Sequence, residues 1–333
     1  MKTSDGNGRN YNGNSRNYNT DNRNRMTRKE RIRARKRRRL KKRIIRDSVL
    51  FLAFIILVLI IWGIVKLFSV MAGCGTSTDT KEKVTEKPTE PLTKVQVDVE
   101  ALPEEYKECY KQIEQMESEH QEVLYLYKDF SSYPVDLLNL VIRNPETIGF
   151  VKDYLTKGSV DVIADVRDEY TPGEIPLFIQ WDERWGYAKY GDNMIAINGC
   201  GPTCLAMVSV GLTGNTNYTP KYVANMSEQM GYYTESGTSW TLMSKGAEEL
   251  GINGHSISIN EQNIYDELKV GNPIIASMSP GDFTTEGHFI VITGIDKNNK
   301  LIVNDPNSKK RSKKHWDVND IIKQTKSMWA YTV

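Results

Sequence analysis

Hydrophobic and polar positions follow three different patterns along this chain. Residues 48–65, SVLFLAFIILVLIIWGIV, contain no charged side chain. If Lys66 snorkels toward the interface, the apolar stretch extends to about 25 residues, enough to cross the ~30 Å hydrocarbon layer as a helix. Core helices are seldom so long or apolar on every side, so the pattern predicts a transmembrane segment over 48–73. After a Thr/Lys/Glu/Pro-rich spacer over 74–97, the second pattern begins. Tyr106, Cys109, Ile113 and Met116 recur at intervals of three and four, which predicts an amphipathic helix. Two more short helices follow, with Pro134 in a first turn and Asn144-Pro145 marking a break and a restart. Cys109 lies on the apolar stripe and reads as a core residue. Together these make a helical region over 98–170 with no chemistry of its own.

The third pattern, over 171–333, starts with an extended aromatic entry, EIPLFIQWDERWGY. Helices are predicted from about Pro202, from Thr219-Pro220 with the threonine as cap, through SWTLMSKGAEELGI to near Gly251, and over NIYDELKVG. Strands follow at NPIIASM, HFIVITGID, KLIVNDP and MWAYTV, with DKNNK as a hairpin turn. Helices first and antiparallel strands afterwards predict an α+β domain.

Charge divides the chain in the same places. Residues 1–47 hold 18 Lys/Arg against 4 Asp/Glu, while the other 286 residues hold 26 against 38. The basic, Asn-rich tail is expected to be disordered. Its position before the apolar segment predicts a cytoplasmic N-terminus and an outward-facing remainder, as in a single-pass bacterial membrane protein with a signal anchor. Topology and lipid contact account for the charge, so no specific nucleic-acid partner is expected. VMAGC resembles a lipoprotein cleavage site and offers an alternative anchor at Cys74. However, Met71 stands where leucine is usual, and the preceding tail and apolar segment are long for a signal peptide.

Two of the four cysteines fall within INGCGPTCLAMV. A zinc site would need three or four ligands, which this segment does not supply, and no metal or cofactor is expected. A disulfide between Cys200 and Cys204 has poor geometry, and so few cysteines make no disulfide framework. Cys204 reads as a core residue. Cys200 differs because it sits between two glycines just before a helix start, where free N–H groups and the helix dipole favour a thiolate and where glycines let a ligand's backbone approach. A thiolate nucleophile needs a base and an orienting group. His120, His255 and His315 lie on a charged helix, in a polar turn and in a basic run. His288 opens an apolar strand, and Asp305 lies on the next strand, within plausible reach of its ring.

The segments GCGPTCLAMV, GHFIVITGID and VNDPN, with IPLFIQWDERW and GNPIIASM before them, resemble the C39-like cysteine peptidases of the papain-like superfamily. NPETIGFVKDYL resembles the helical extension found before such domains. The resemblance implies a papain-like fold over 171–333, with Cys200 as nucleophile, His288 as general base, Asp305 as the residue orienting it and Gln180 as an oxyanion donor. Gln180 lies twenty residues before Cys200. In the family's export transporters the glutamine is only a few residues away, so Asn198 stays in competition for the oxyanion role. Trp181, Trp185 and Tyr187 are candidates for the cleft wall, and 278–287 for a mobile rim. The expected activity is a membrane-tethered thiol peptidase acting on a peptide or protein substrate. The alternatives are a cell-wall amidase or transpeptidase with the same thiol chemistry, and a catalytically silent peptide-binding module.

Overall fold

Two of the three patterns, those over 98–170 and 171–333, can be followed in a computed structural model that describes residues 94–159, 164–234 and 237–333. The basic tail 1–47, the predicted span 48–73 and the spacer as far as residue 93 lie outside the described residues. No helix among the described residues is long and apolar enough to cross a membrane.

Helix α1, Glu104–Met116, buries Cys109, Tyr110 and Ile113, as its spacing predicts. It stops at Met116, and Gln121–Ser132 continues as 3₁₀ turns. A three-residue repeat brings Val123 in line with Leu126, and Tyr127 with Phe130. Helix α2, Val135–Arg143, begins immediately after Pro134, which occupies the cap position and not the first turn. The chain breaks at Asn144, makes one 3₁₀ turn over Pro145–Thr147 and restarts as α3, Ile148–Lys157. The inner faces of these helices share one core with Ile179, Trp181 and Ala196. The helical region is therefore packed against the segments that precede Cys200.

A small hairpin, β1 (Lys189–Tyr190) and β2 (Asn193–Met194), leads into the short helix α4, Ile195–Asn198. The next helix, α5, runs from Cys200 to Thr213, and every residue from Gly201 to Val210 is buried. A helix apolar on all sides belongs in the centre of a domain, and α5 is covered all round. Helix α6, Pro220–Gln229, is capped by the Thr219 hydroxyl accepting from Tyr222 N–H, and proline fills its first position as predicted. A second small hairpin pairs β3 (Tyr233–Thr234) with β4 (Gly237–Thr238). A π turn over Leu242–Gly246 then passes into α7, Ala247–Glu249.

The sheet contains β5 (Asn253–Ile257), β6 (Ile274–Met278), β7 (His288–Ile295), β8 (Leu301–Asn304), β9 (His315–Trp316) and β10 (Thr325–Thr332). Its order is β5-β10-β6-β7-β8-β9, and every neighbouring pair is antiparallel. Side chains alternate across it. Ile275, Phe289, Val291, Trp329 and Tyr331 pack with Cys204, Met207 and Val208 of α5. Ile274, Ala276, Met278, Ile290 and Ile292 pack on the other face with Ile264 and Leu268 of α8 (Glu261–Lys269) and with Val318 and Ile321 of α10 (Val318–Lys323). Both faces of β6 are covered, which explains the unbroken apolar run in its sequence.

Two expectations change. The NGHS segment, read as a polar turn, is edge strand β5, with His255 opposite Ala330. The last strand starts at Thr325 and not at Met328. Both differences arise because pairing with β10 and β6 satisfies backbone groups that the local sequence does not assign to a strand.

Leu138, fully buried in the helical core, is expected to cost about 2–5 kcal/mol when replaced by alanine. Because that core includes Ile179 and Trp181, chemical denaturation of Leu138→Ala should give one earlier transition, seen alike by far-UV circular dichroism and tryptophan fluorescence.

Candidate active site

Cys200 is the first residue of α5, two positions earlier than the sequence suggested, with Thr203 N–H bonding back to Gly199 C=O at 3.0 Å. Its partly exposed sulfur lies at the end of the helix where unpaired N–H groups favour negative charge. The flanking glycines have a different role from the one expected. A Cβ on Gly201 would lie 2.7 Å from Thr238 Cγ2, and one on Gly199 would lie 2.5 Å from Ile195 C=O. They are small so that α5 can start against α4 and the β3–β4 hairpin, and the approach of a ligand is not needed to explain them.

His288 is the first residue of β7, opposite Met278, and is buried. β8 ends at Asn304, opposite Val291, so the next residue, Asp305, leaves the sheet beside His288. His288 Nε2 lies 2.8 Å from Asp305 Oδ1. Cys200 borders the same cleft, near enough to act on the ring electrostatically. Burial opposes a charged ring, but the charge and hydrogen bond of Asp305, together with the nearby Cys200 sulfur, outweigh it and raise the His288 pKa to about 9.

Asp305 has no exposure to solvent. Its Oδ1 also accepts from Asn307 N–H at 2.8 Å, and its Oδ2 accepts from Arg311 Nε–H. Burial alone would raise its pKa, but His288 and Arg311 hold it below the ordinary carboxylate value. Sequence reading missed Arg311, which looked like one more cation in the run SKKRSKK. Helix α9, Lys309–Lys313, is capped by Ser308 Oγ accepting from Arg311 N–H, and this short turn carries the arginine back to Asp305.

Gln180 is buried beside the same cleft. Its backbone N–H donates to Pro306 C=O, and its Nε2 donates to Ala196 C=O, both at 2.7 Å. Its Oε1 has no partner. Asn198 borders the cleft too, but its amide nitrogen is taken up by Asp192 Oδ1 at 2.9 Å, Tyr233 hydroxyl at 3.1 Å and Tyr190 C=O at 3.3 Å. Gln180 Nε2 has fewer acceptors than Asn198 Nδ2, namely Ala196 C=O at 2.7 Å and Ile197 C=O at 3.5 Å.

Two hollows meet at Cys200 and His288. One, of about 330 Å³, is bordered by Asp136, Leu140 and Arg143 of α2, by Gln180 and Arg311, and by the rim 281–287. The other, of about 540 Å³, is bordered by Tyr233, Thr238, Trp240, Ser277 and Lys326. The helical region thus supplies part of one wall, which its sequence did not reveal. The aromatic residues expected in the wall lie elsewhere. Trp185 is buried against Phe178, Tyr187 stacks on Phe150 at 4.2 Å, and Trp181 lies in the shared helical core. Trp240, packed edge-on against Trp329, borders the cleft instead. The rim expected to be mobile is anchored through its middle. Phe283 is buried against Trp316, and Asp282 exchanges hydrogen bonds with Gln324.

The other candidate residues are separate from this cleft. Cys109 and Cys204 are buried free thiols, and burial raises both above the ordinary thiol value. His255 pairs with Glu267 at 3.1 Å, and His315 with Asp296 at 2.7 Å. Among the described residues, no cluster of three or more His, Cys, Asp and Glu side chains is arranged to hold a metal.

Residues 173–333 match the family model of the Peptidase_C39 like family. The match makes this part of the chain similar to C39-like, papain-like peptidases. A comparison with curated proteins found no match.

Asp305→Asn removes the charge that holds the His288 proton. The ring should then titrate well below about 9, as read from its imidazole resonances by NMR. The sign for stability follows from the same shift. The His288 contribution is fully present below the unfolded value of 6.5 and is lost as pH rises through about 9. Asp305→Asn should flatten that alkaline loss.

Proposed function

We propose that this chain is a thiol peptidase tethered to the bacterial membrane, with Cys200 as nucleophile, His288 as general acid and base, and Asp305 orienting the ring. The observation that carries the reading is a buried imidazole bonded to Asp305 and sharing a cleft with a cysteine at a helix N-terminus. A catalytically silent binding module has no use for such an arrangement, since burying charged groups is costly unless they are paired. The uncharged stretch 48–65, with its basic flank, supports the tether and an outward-facing catalytic domain.

In this reading Cys200 and His288 form a thiolate–imidazolium pair. The Cys200 thiolate attacks the acyl carbon, the carbonyl becomes an oxyanion, and the C–N bond breaks as His288 gives its proton to the leaving amine. Neutral His288 then takes a proton from water, which releases the acid and the thiolate. The Cys200 N–H and one hydrogen of the Gln180 amide supply the oxyanion donors, while the amide's second hydrogen stays on Ala196 C=O. Cleft on both sides of Cys200 suits a chain that continues past the scissile bond.

Cleavage of a fluorogenic peptide library provides the test. Cys200→Ala should abolish turnover while leaving the fold in place, and Gln180→Ala should lower kcat by about 10²–10³-fold. Activity of the unmodified protein should fall as pH rises through about 9, because His288 loses the proton that both the ion pair and the leaving amine require. Acyl transfer to added amines, or cleavage of muropeptides alone, would point to an amidase or transpeptidase. Turnover that persists in Cys200→Ala would end the thiol reading.

A further inference from the structure

The break between α2 and α3 places two polar side chains on the loop that follows Asp305. Asn144 is buried and donates through Nδ2 to Asn307 C=O, while its own Oδ1 accepts from Glu146 N–H. The Glu146 carboxylate accepts from the Ser308 hydroxyl through Oε1 and from Lys310 N–H through Oε2 at 3.2 Å. These are the residues that set the path of the loop. Asn307 N–H bonds Asp305 Oδ1, Ser308 caps the turn that carries Arg311, and Arg311 bonds Asp305 Oδ2. Each donor to the Asp305 carboxylate other than His288 therefore comes from a segment held by Asn144 or Glu146.

We propose that Asn144 and Glu146 are positioning residues for the Asp305–His288 pair, so that the helical region completes the reactive site as well as packing beside it. The inference rests on the thiol-peptidase reading above. Within 173–333 the same loop is also held by Gln180 N–H on Pro306 C=O at 2.7 Å and by Trp181 Nε1, which shares Asn307 C=O with Asn144 at 3.0 Å, whereas the Ser308 hydroxyl and Lys310 N–H donate to Glu146. Without the brace, Ser308 and Lys310 turn to water, Arg311 is less well directed, and the Asp305 carboxylate loses the fixed aim that keeps His288 facing Cys200. Asp305 and, behind it, Arg311 lie on one side of the ring and the Cys200 sulfur lies across the cleft, whose walls carry Asp136, Arg143, Asp282 and Glu286 in one hollow and Asp192 and Lys326 in the other.

The test needs no identified substrate. Iodoacetamide alkylation of Cys200 is timed in the full-length chain in detergent at about pH 6 and about pH 10. At the higher pH an ordinary thiol is ionised without help, so the ratio of the two rates isolates the contribution of the oriented ring. The pH 6 to pH 10 ratio should fall about fivefold in both Glu146→Ala and Asn144→Ala, the worth of one hydrogen bond. It should stay within about twofold of the unmodified protein in Lys157→Met. That control removes a different link between the two regions, the 2.7 Å ion pair to Glu183. If Asn144→Ala does not fold, as judged by near-UV circular dichroism, part-exposed Glu146 decides alone. A Glu146→Ala ratio equal to that of the unmodified protein overturns the proposal, as does an equal fall in Lys157→Met. If the unmodified protein gives no higher ratio than His288→Ala, the thiol-peptidase reading itself fails, an outcome distinct from the other two.

Discussion

A carboxylate with no access to water, Asp305, is the constraint on which the rest of the site depends. A buried charge is tolerated only when it is paired and its lone pairs are filled. Here three groups meet that demand: a ring nitrogen, a backbone N–H and a guanidinium. Each comes from a different element, the mouth of β7, the loop after β8 and the short helix α9. Satisfying one anion thus fixes three segments relative to one another. The anion in turn keeps the ring that donates to it charged, in spite of burial that would otherwise make the ring neutral.

That arrangement needs a floor and a back. The floor is α5, apolar on every side and closed in by the sheet, with only its first residue reaching the cleft. The back is the helical region. Its core runs without a break into Ile179, Trp181 and Ala196, so the strand-like entry carrying Gln180 is held from behind by α1–α3 and from the front by Pro306 C=O. Two residues far apart in sequence, Gln180 and Asp305, are therefore fixed by the same loop. A shift of that loop would disturb the expected oxyanion donor and the imidazole partner together.

What could be read in the sequence was what depends on neighbours in the chain. Thr219-Pro220 marks a helix start by local chemistry, and the apolar runs of β6 and the first half of β7 mark strands buried on both faces. The residues 180, 200, 288 and 305, which the fold brings to one cleft, were legible as residue types at the ends of elements, sharpened by the resemblance to a family. The remainder depends on side chains that meet across long separations. Asn144 reaches a residue 163 positions away, and nothing local distinguishes Arg311 from the cations beside it. The tryptophans misled for a related reason, because an aromatic beside a site residue serves equally well as core. Strand β5 was hidden because its pairing partner is the last strand of the chain.

Three described cysteines are free, and the structure separates them by environment. Cys109 sits in the helical core, with its sulfur against Asn139 Oδ1 at 3.6 Å, and burial is the main reason its proton is hard to remove. Cys204 lies one helical turn below Cys200, fully enclosed. Burial raises it first, and negative charge at Cys200 and Asp305 raises it further. This ordering has a chemical consequence. A thiolate at Cys204 would repel one at Cys200 and compete for the same helix end, whereas a thiol held neutral by its surroundings does neither. The apolar packing that makes α5 a core helix therefore also keeps the Cys204 thiol neutral, one turn below the cysteine that borders the cleft.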